Sequence, residues 1–385
     1  MEIQQISQED LERRNTKKRV KSIDLARGVG VLLLVPLHTL WMYADKHTQG
    51  NTLLGEVVHF TGTGTGMFLI TMGFSFTMSR NQSLQLSFRR GLLLLAVGYG
   101  MNFLKFVLPN LLGFQPDDLI KAYGWTPPAT FDNLLYMLGT GDILQMAGIS
   151  LFIMGIANHF SKNKYVPLGM AVFFAVVTSF VRGIRAGVPG FDYFLDLLWG
   201  EQFNVYFPVF PWISLILAGI YFGRVYMEDN REEKRAFQQM WQIGLLFVAG
   251  GVALSAYDYQ RFYGDYFHLG SGGALYLIGA SLLLARFGKF LVDVVKPNRV
   301  YNFFYYLSAR ITSFYVIQWV LICWGMGLVG FQKMNATQVS LAMLVMIALC
   351  LITQKGVDIV KGRRKRKETG KEDTIEEVEQ EEVFV

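Results

Sequence analysis

Apolar residues gather in this sequence into repeated blocks of about 20, which is the length an α-helix needs to cross the hydrocarbon core of a bilayer. Short polar stretches between the blocks carry most of the charge. Apolar residues make up 52% of the chain and charged residues only 17%, against about 25% charged in soluble domains. The pattern therefore predicts an all-α, polytopic integral membrane helix bundle. It argues against a soluble enzyme, a disordered chain and a disulfide-stapled secreted domain.

About ten transmembrane helices can be placed along the sequence. The predicted spans cover residues 25–43, 60–79, 89–108, 134–158, 165–182, 206–224, 239–257, 269–287, 303–325 and 337–354. If the N-terminus is cytoplasmic, all but seven of the 36 Lys and Arg residues fall on the cytoplasmic side, as the positive-inside rule requires. The seven on the outer side are Lys46, Lys105, Lys121, Arg182, Arg185, Arg261 and Lys333. An even number of spans then places both termini in the cytoplasm.

Three segments follow from this layout. Residues 1–22 are predicted to be a basic cytoplasmic segment, residues 23–355 the membrane domain, and residues 356–385 a charged, disordered cytoplasmic tail. The N-terminus is polar and does not resemble a cleaved signal peptide. Because the basic residues flank membrane spans, they predict contact with a lipid bilayer rather than with nucleic acid. The oligomeric state stays open.

Five polar side chains from four predicted spans share a similar depth in the outer half of the membrane, where each is costly unless it is paired or faces a cavity. They are His38, Asn102, Asp142, Gln145 and Gln318. His38 lies about 20 Å into the first span at 1.5 Å per residue, two residues after the helix-breaking Pro36. The set predicts a polar cavity, and scattered hydrogen bonds between helices are the alternative. Asp142 needs a partner there, and His38 is the first choice.

Histidine suits general-base chemistry near neutral pH, so His38 is a candidate catalytic group. A metal site is not expected. His38, His47 and His59 do not share one helix face with a carboxylate, and the two cysteines, Cys323 and Cys350, both lie inside apolar blocks.

Several motifs resemble those of the transmembrane acyltransferases. The first span, RVKSIDLARGVGVLLLVPLH, matches a basic residue, then S-(I/V/L)-D-x-x-R-G, an apolar stretch and a histidine near the outer end. FLITMGFSF, GDILQMAGI, FPVFPWISLILAGIYFGR and a late S-x-x-S-F-Y-V-x-Q-like span follow in the expected order over residues 19–325. The resemblance covers the heparan-α-glucosaminide N-acetyltransferase catalytic-domain family and the bacterial family-three membrane acyltransferases.

This resemblance implies an enzyme of the bacterial cytoplasmic membrane that moves an acyl group, usually acetyl, from cytoplasmic acyl-CoA to a sugar-like acceptor. The transfer would be to a hydroxyl or an amine on the extracytoplasmic side. Acetyl-CoA would be the acyl-donor substrate. The family-three branch implies the pair Arg27 and His38, whereas the heparan-type branch implies Lys46–His47. His38 is the preferred base and His47 the second candidate. Met146 stands where an arginine commonly follows Leu-Gln in the family.

The predicted catalytic residues are therefore His38, His47 and Asp142. The predicted substrate-binding residues are Asp24, Arg27, Asn102, Gln145, Arg310 and Gln318. Arginines suit the phosphates of the donor, and buried amide donors suit an oxyanion. Two other classes stay open: a transporter or flippase for a sugar- or lipid-like substrate, which would work without acyl-CoA, and a structural or sensory membrane protein whose charged tail is the working part.

Overall fold

The computed structural model describes residues 20–79, 81–229 and 232–382, with side chains as far as Arg363. The predicted basic segment 1–22 falls almost entirely outside the described residues, and so do residues 383–385 of the predicted tail. The described backbone is helical, and its β-pairing is limited to isolated bridges such as Gly141 with Val205.

Ten helices build the bundle and match the ten predicted spans in order. They are α1 Lys21–Tyr43, α2 Thr65–Thr77, α3 Leu84–Leu111, α4 Ile143–Phe160, α5 Tyr165–Val181, α6 Val209–Glu228, α7 Glu233–Tyr257, α8 Ser271–Val294, α9 Ile311–Val329 and α10 Ala336–Glu382. Eight of them are long and apolar enough to cross a membrane, whereas α2 and α5 are shorter. The prediction of an all-α polytopic membrane bundle is confirmed.

Three predicted spans are broken where the sequence suggested continuous helices. Leu53–Gly62 precedes α2, Phe131–Leu138 precedes α4, and Arg299–Ser308 precedes α9 as separate helices. The first two breaks fall at glycine-rich turns, where a helix loses stability. The mean hydropathy of a 20-residue window does not register a break of two to four residues. The sequence pattern therefore merged each short helix with the long helix that follows it.

The last helix also differs from its prediction. Its backbone is helical as far as Glu382, within the segment predicted to be a disordered tail. Lys, Arg and Glu, which dominate this segment, all have favourable helix propensity. The boundaries of the three segments and the cytoplasmic placement of both termini stay predictions.

Helix α6 lies at the centre of the bundle, with 89% of its apolar window buried. It packs closely against α2 through glycines. A Cβ on Gly73 would lie 1.8 Å from the carbonyl oxygen of Ile216, and one on Gly219 would lie 2.0 Å from that of Ile70. Small residues of this kind let two backbones approach within a membrane. We call this contact the glycine interface.

The connections at one end of the bundle bond to one another and form a cover, here called the loop layer. It consists of residues 44–64, 112–142, 183–208, 258–270 and 330–335. Met334 exchanges backbone hydrogen bonds with Tyr43 and Asp45, and Gly141 does so with Asn204 and Tyr206. According to the predicted orientation, this end faces outward.

Candidate active site

A cavity of about 350 Å³ lies beneath the loop layer, between the ends of α1, α3, α4 and α9. This volume falls within the range of about 300–1,000 Å³ typical of ligand pockets. Nearly half of its lining residues are aromatic, and His38, Lys105 and Asp142 lie in the wall with them. The aromatic residues are Trp41, Phe106, Tyr123, Phe203, Tyr206, Phe207, Tyr266, Phe267, Tyr315, Trp319 and Phe331.

His38 is 4% exposed and is held between aromatic rings of α9. Its ring stacks on Trp319 with centroids 4.0 Å apart, and it meets Tyr315 in an edge-to-face arrangement with centroids 5.9 Å apart. Its buried Nδ1 has no hydrogen-bond partner among the described residues. A buried polar atom without a partner is costly in a protein. This imidazole lines the cavity and is therefore oriented by packing against the rings rather than by a hydrogen bond at Nδ1.

Asp142 begins α4 rather than lying within a helix, as a continuous fourth span implied. It accepts a hydrogen bond from the backbone N–H of Ile143, and its own N–H donates to Gln145 Oε1 as part of a capping box. Lys105 Nζ donates to Asp142 Oδ2 at 2.9 Å, and the Tyr315 hydroxyl donates to Oδ1 at 2.9 Å. The expected partner of Asp142 was His38. That expectation was wrong, because Lys105 is the partner.

Lys105 is 1% exposed and lies within a π-helical turn of α3, Phe103–Val107. Such turns occur often at functional sites. Its Nζ lies 4.4 Å from the ring centroid of Trp319 and 4.8 Å from that of Phe106, distances at which a cation is attracted to a ring. Trp319 thus contacts both His38 and Lys105. Sequence reasoning counted Lys105 only as an outer positive charge, although a lysine inside an apolar span is itself a signal.

The three amides predicted to line the cavity are buried but are not part of its wall. Asn102 Nδ2 donates to the carbonyls of Leu138 and Thr140 and so holds the turn before α4. Gln145 completes the cap of α4. Gln318 is 0% exposed, and neither of its amide atoms has a hydrogen-bond partner among the described residues.

The other predicted site residues lie away from the cavity wall. His47 is exposed on the short helix Lys46–Gly50 of the loop layer. Asp24 accepts a hydrogen bond from Ser308 at the opposite end of α1 from His38, and Arg27 lies one turn further along. Arg310 is bound at 2.7 Å to Asp358 of α10. The structure thus brings together His38 and Asp142 of the predicted set, and it adds Lys105, Tyr315 and Trp319.

The loop layer closes the cavity partly through Tyr266 and Phe267, which precede His268. The His268 ring contacts Asp265 Oδ2 at 2.9 Å through Nδ1 and the Val205 carbonyl at 2.8 Å through Nε2. Burial disfavours the charged imidazole, but the hydrogen bond and charge of Asp265 outweigh it and raise the pKa of His268. Burial likewise opposes ionisation of Asp265, but its bonds from His268 lower the pKa of Asp265 to about 2. His268 and Asp265 thus form a charged pair, here called the clasp.

Within the described residues, no group of three or more His, Cys, Asp or Glu side chains is placed to hold a metal ion. The polar groups of the cavity wall are a histidine, an ion pair, aromatic hydroxyls and the side chains of Gln49, Thr65 and Gln332. This set is suited to proton transfer and to the stabilisation of charge.

The bundle and its enclosed site define an integral membrane protein with a candidate active site beneath the loop layer. A family model described as heparan-alpha-glucosaminide N-acetyltransferase, catalytic, matches residues 19–262. The chain belongs to this family of membrane acetyltransferases, as the sequence motifs indicated. No curated protein matches the chain. The matched region includes His38, His47, Lys105 and Asp142, whereas the α9 residues of the cavity lie beyond it.

Proposed function

We propose that this protein transfers an acetyl group from acetyl-CoA to a hydroxyl or amine of a sugar-like acceptor, with His38 as the general base. The observation that carries the proposal is the position of His38. Its imidazole lines the largely aromatic cavity, and its Nδ1 lacks a hydrogen-bond partner among the described residues. Family membership supports the acetyltransferase class.

The proposed reaction needs one proton acceptor and one displaced thiol. The acceptor oxygen or nitrogen attacks the carbonyl carbon of the thioester while its proton passes to the imidazole of His38. The carbonyl electron pair moves onto oxygen. The carbon–sulfur bond then breaks as that pair returns, and the thiol of CoA leaves with the proton from the imidazolium. A buried, largely aromatic site excludes water, which would otherwise hydrolyse the thioester.

The proposal places the two substrates on opposite sides of the membrane. The nucleotide end of the donor is polyanionic, and arginines suit phosphates through their bidentate geometry. Arg27 lies about 17 Å before His38 along α1 at 1.5 Å per residue, so a donor held at Arg27 or Arg310 would extend its thioester arm toward the cavity. Asp24 lies near Arg27 on the same helix and would orient the donor-binding groups there. The acceptor would enter through the loop layer, and the protein would lie in a bacterial cytoplasmic membrane with both termini inside.

The test is release of CoA thiol by the purified full-length protein supplied with acetyl-CoA and either glucosamine or N-acetylglucosamine. His38→Ala is expected to lower the rate about 10²- to 10⁴-fold. Its unfolding temperature is expected to stay near that of the unmodified protein, and so is the rise in that temperature when acetyl-CoA is added. The two acceptors distinguish an amine target from a hydroxyl target.

His47→Ala is the matched control, because this histidine is exposed on a short helix outside the cavity wall. It should retain nearly full activity. If His47→Ala lost activity and His38→Ala kept it, the base would be His47. The proposed acyl transfer would be wrong if acetyl-CoA released no thiol with either acceptor and a sugar crossed the membrane unmodified instead.

A further inference from the structure

Lys105 is a cation at membrane depth in the wall of the cavity that holds His38. Placing a lysine inside a transmembrane helix is costly, and such residues are usually functional. An ammonium group has three N–H donors. The structure gives Lys105 Nζ one hydrogen bond, to Asp142 Oδ2 at 2.9 Å, and two contacts with aromatic rings. It therefore keeps donor capacity at the cavity wall.

Asp142 does not cancel the positive charge at this wall. Its carboxylate is shared among the Lys105 ammonium, the Tyr315 hydroxyl and the backbone N–H of Ile143. It also caps α4, and a helix N-terminus carries a partial charge of about +0.5. One full positive charge and one partial positive charge thus face a single carboxylate. The local potential favours an oxygen that becomes negative.

The position of Lys105 Nζ is fixed before any substrate arrives. Its carbon chain is buried, the ammonium lies over two rings, and the carboxylate that binds it is held by the start of a helix. Donors that are oriented in advance stabilise a transition state most effectively, since no reorganisation accompanies the reaction. Trp319 contacts both Lys105 and His38, and this shared ring positions the two groups relative to each other.

We propose that Lys105 is a catalytic residue that stabilises the oxyanion formed when the acceptor attacks the thioester carbonyl carbon. The assignment rests on the proposed function. In the step, the carbonyl electron pair moves to oxygen, and the Lys105 ammonium donates a hydrogen bond to that oxygen while keeping its proton. When the carbon–sulfur bond breaks, the pair returns to the carbonyl and the hydrogen bond weakens. The amides of Asn102, Gln145 and Gln318 do not line the cavity and have no part in this step.

The decisive variant is Lys105→Met combined with Asp142→Asn, which removes both charges of the pair together. Removing Lys105 alone leaves a buried carboxylate without its cation and should lower the unfolding temperature, whereas the neutral pair should recover it. The double variant should still turn over acetyl-CoA about 10²- to 10³-fold more slowly than the unmodified protein. The KM for acetyl-CoA should change little, because the contact forms in the transition state.

Two further variants complete the experiment. Lys289→Met is the matched control, since Lys289 forms ion pairs with Glu233 and Asp293 outside the cavity wall, and it should keep full activity. Lys105→Arg keeps the charge and should lie within about tenfold of the unmodified rate, well above the double variant.

The outcomes separate the two proposals. Full activity in the double variant, or a folded Lys105→Arg protein as slow as the double variant, would overturn the assignment of Lys105 while His38 stays the base. An unmodified protein that releases no thiol from acetyl-CoA would overturn the proposed function itself. A double variant without a cooperative unfolding transition would not be folded. The rate of the Lys105→Arg variant, compared with that of the unmodified protein, would then decide the assignment of Lys105.

Discussion

The glycine interface and the cavity region differ in how their helices meet. At the glycine interface, α2 and α6 approach so closely that a Cβ on Gly73 or Gly219 would overlap a carbonyl of the other helix. Around the cavity, α1 and α9 meet through large rings, and α3 and α4 carry a π-helical turn and a buried helix start. The first region has no space for a ligand. The second encloses about 350 Å³.

This difference shows which sequence features make space inside a membrane bundle. Small residues in regular helices let backbones close upon each other. Irregular helices free backbone groups that must then be satisfied by side chains, as Asn102 does for the carbonyls of Leu138 and Thr140. The closest backbone packing thus occurs at the glycine interface, and the cavity lies beside the irregular elements.

Gly219→Val tests the first half of the comparison and carries the largest expected effect on stability. The new side chain meets the backbone of Ile70, so the helices must separate, and the free energy of unfolding should fall by about 3 kcal/mol. Thermal unfolding in detergent measures it. Gly250→Val is the control, since no atom lies within 4 Å of a Cβ there. Equal unfolding temperatures in the two variants would contradict the close approach.

Tyr315→Phe tests the second half and should affect the rate more than the stability. It removes the hydroxyl that donates to Asp142 and keeps the ring beside His38. We expect about a tenfold lower rate of thiol release and a loss of about 1 kcal/mol in the free energy of unfolding. Tyr43→Phe is matched, because its hydroxyl donates to the Ile322 carbonyl outside the cavity wall. If both variants lost the same activity, the hydroxyl on Asp142 would have no special role.

The smallest effect is expected from pH acting on the clasp in the loop layer. The pKa of His268 is raised above 6.5. Its contribution to the stability of the loop layer is therefore complete below pH 6.5 and is lost as the pH rises through the raised value. The pKa of Asp265 is lowered to about 2. Its contribution to the stability of the loop layer is therefore present above pH 3.8 and is lost as the pH falls toward 2. The protection factor of the amides around Phe267, which is their intrinsic exchange rate at each pH divided by the observed rate, should therefore be highest between about pH 4 and 6.5.

Asp265→Asn should abolish this pH dependence while leaving exchange in α6 unchanged. A protection factor at Phe267 that does not vary with pH in the unmodified protein would show that the clasp does not hold the cover closed.

The sequence predicted an all-α polytopic bundle and the order of its long helices because apolar length is a local property of the chain. It predicted about ten spans, and eight of the described helices are long and apolar enough to cross a membrane. The breaks were missed, although their signals were present. Gly-Thr-Gly-Asp before α4 is a turn followed by a capping residue, and Asp142 with Gln145 has the spacing of a capping box. A hydropathy window averages over such signals.

Part of the candidate site was predictable, and part was not. Polarity at depth singled out His38 and Asp142 correctly as side chains of one cavity. The pairing of Asp142 with Lys105 joins residues on different helices, and no local pattern reports such a contact. The stacking of Trp319 on His38 is equally remote in sequence. Both depend on how the helices rotate against each other, which packing decides.

The π-helical turn at Phe103–Val107 makes the site sensitive to residue number as well as residue type. A deletion of one residue there would restore regular α-helix and rotate the later side chains by about 100° relative to the earlier ones. The ammonium of Lys105 would then move away from Asp142, even with every remaining amino acid unchanged. The charge pair therefore depends on the length of this segment, and a variant that lacks one residue of the turn would lose the pair.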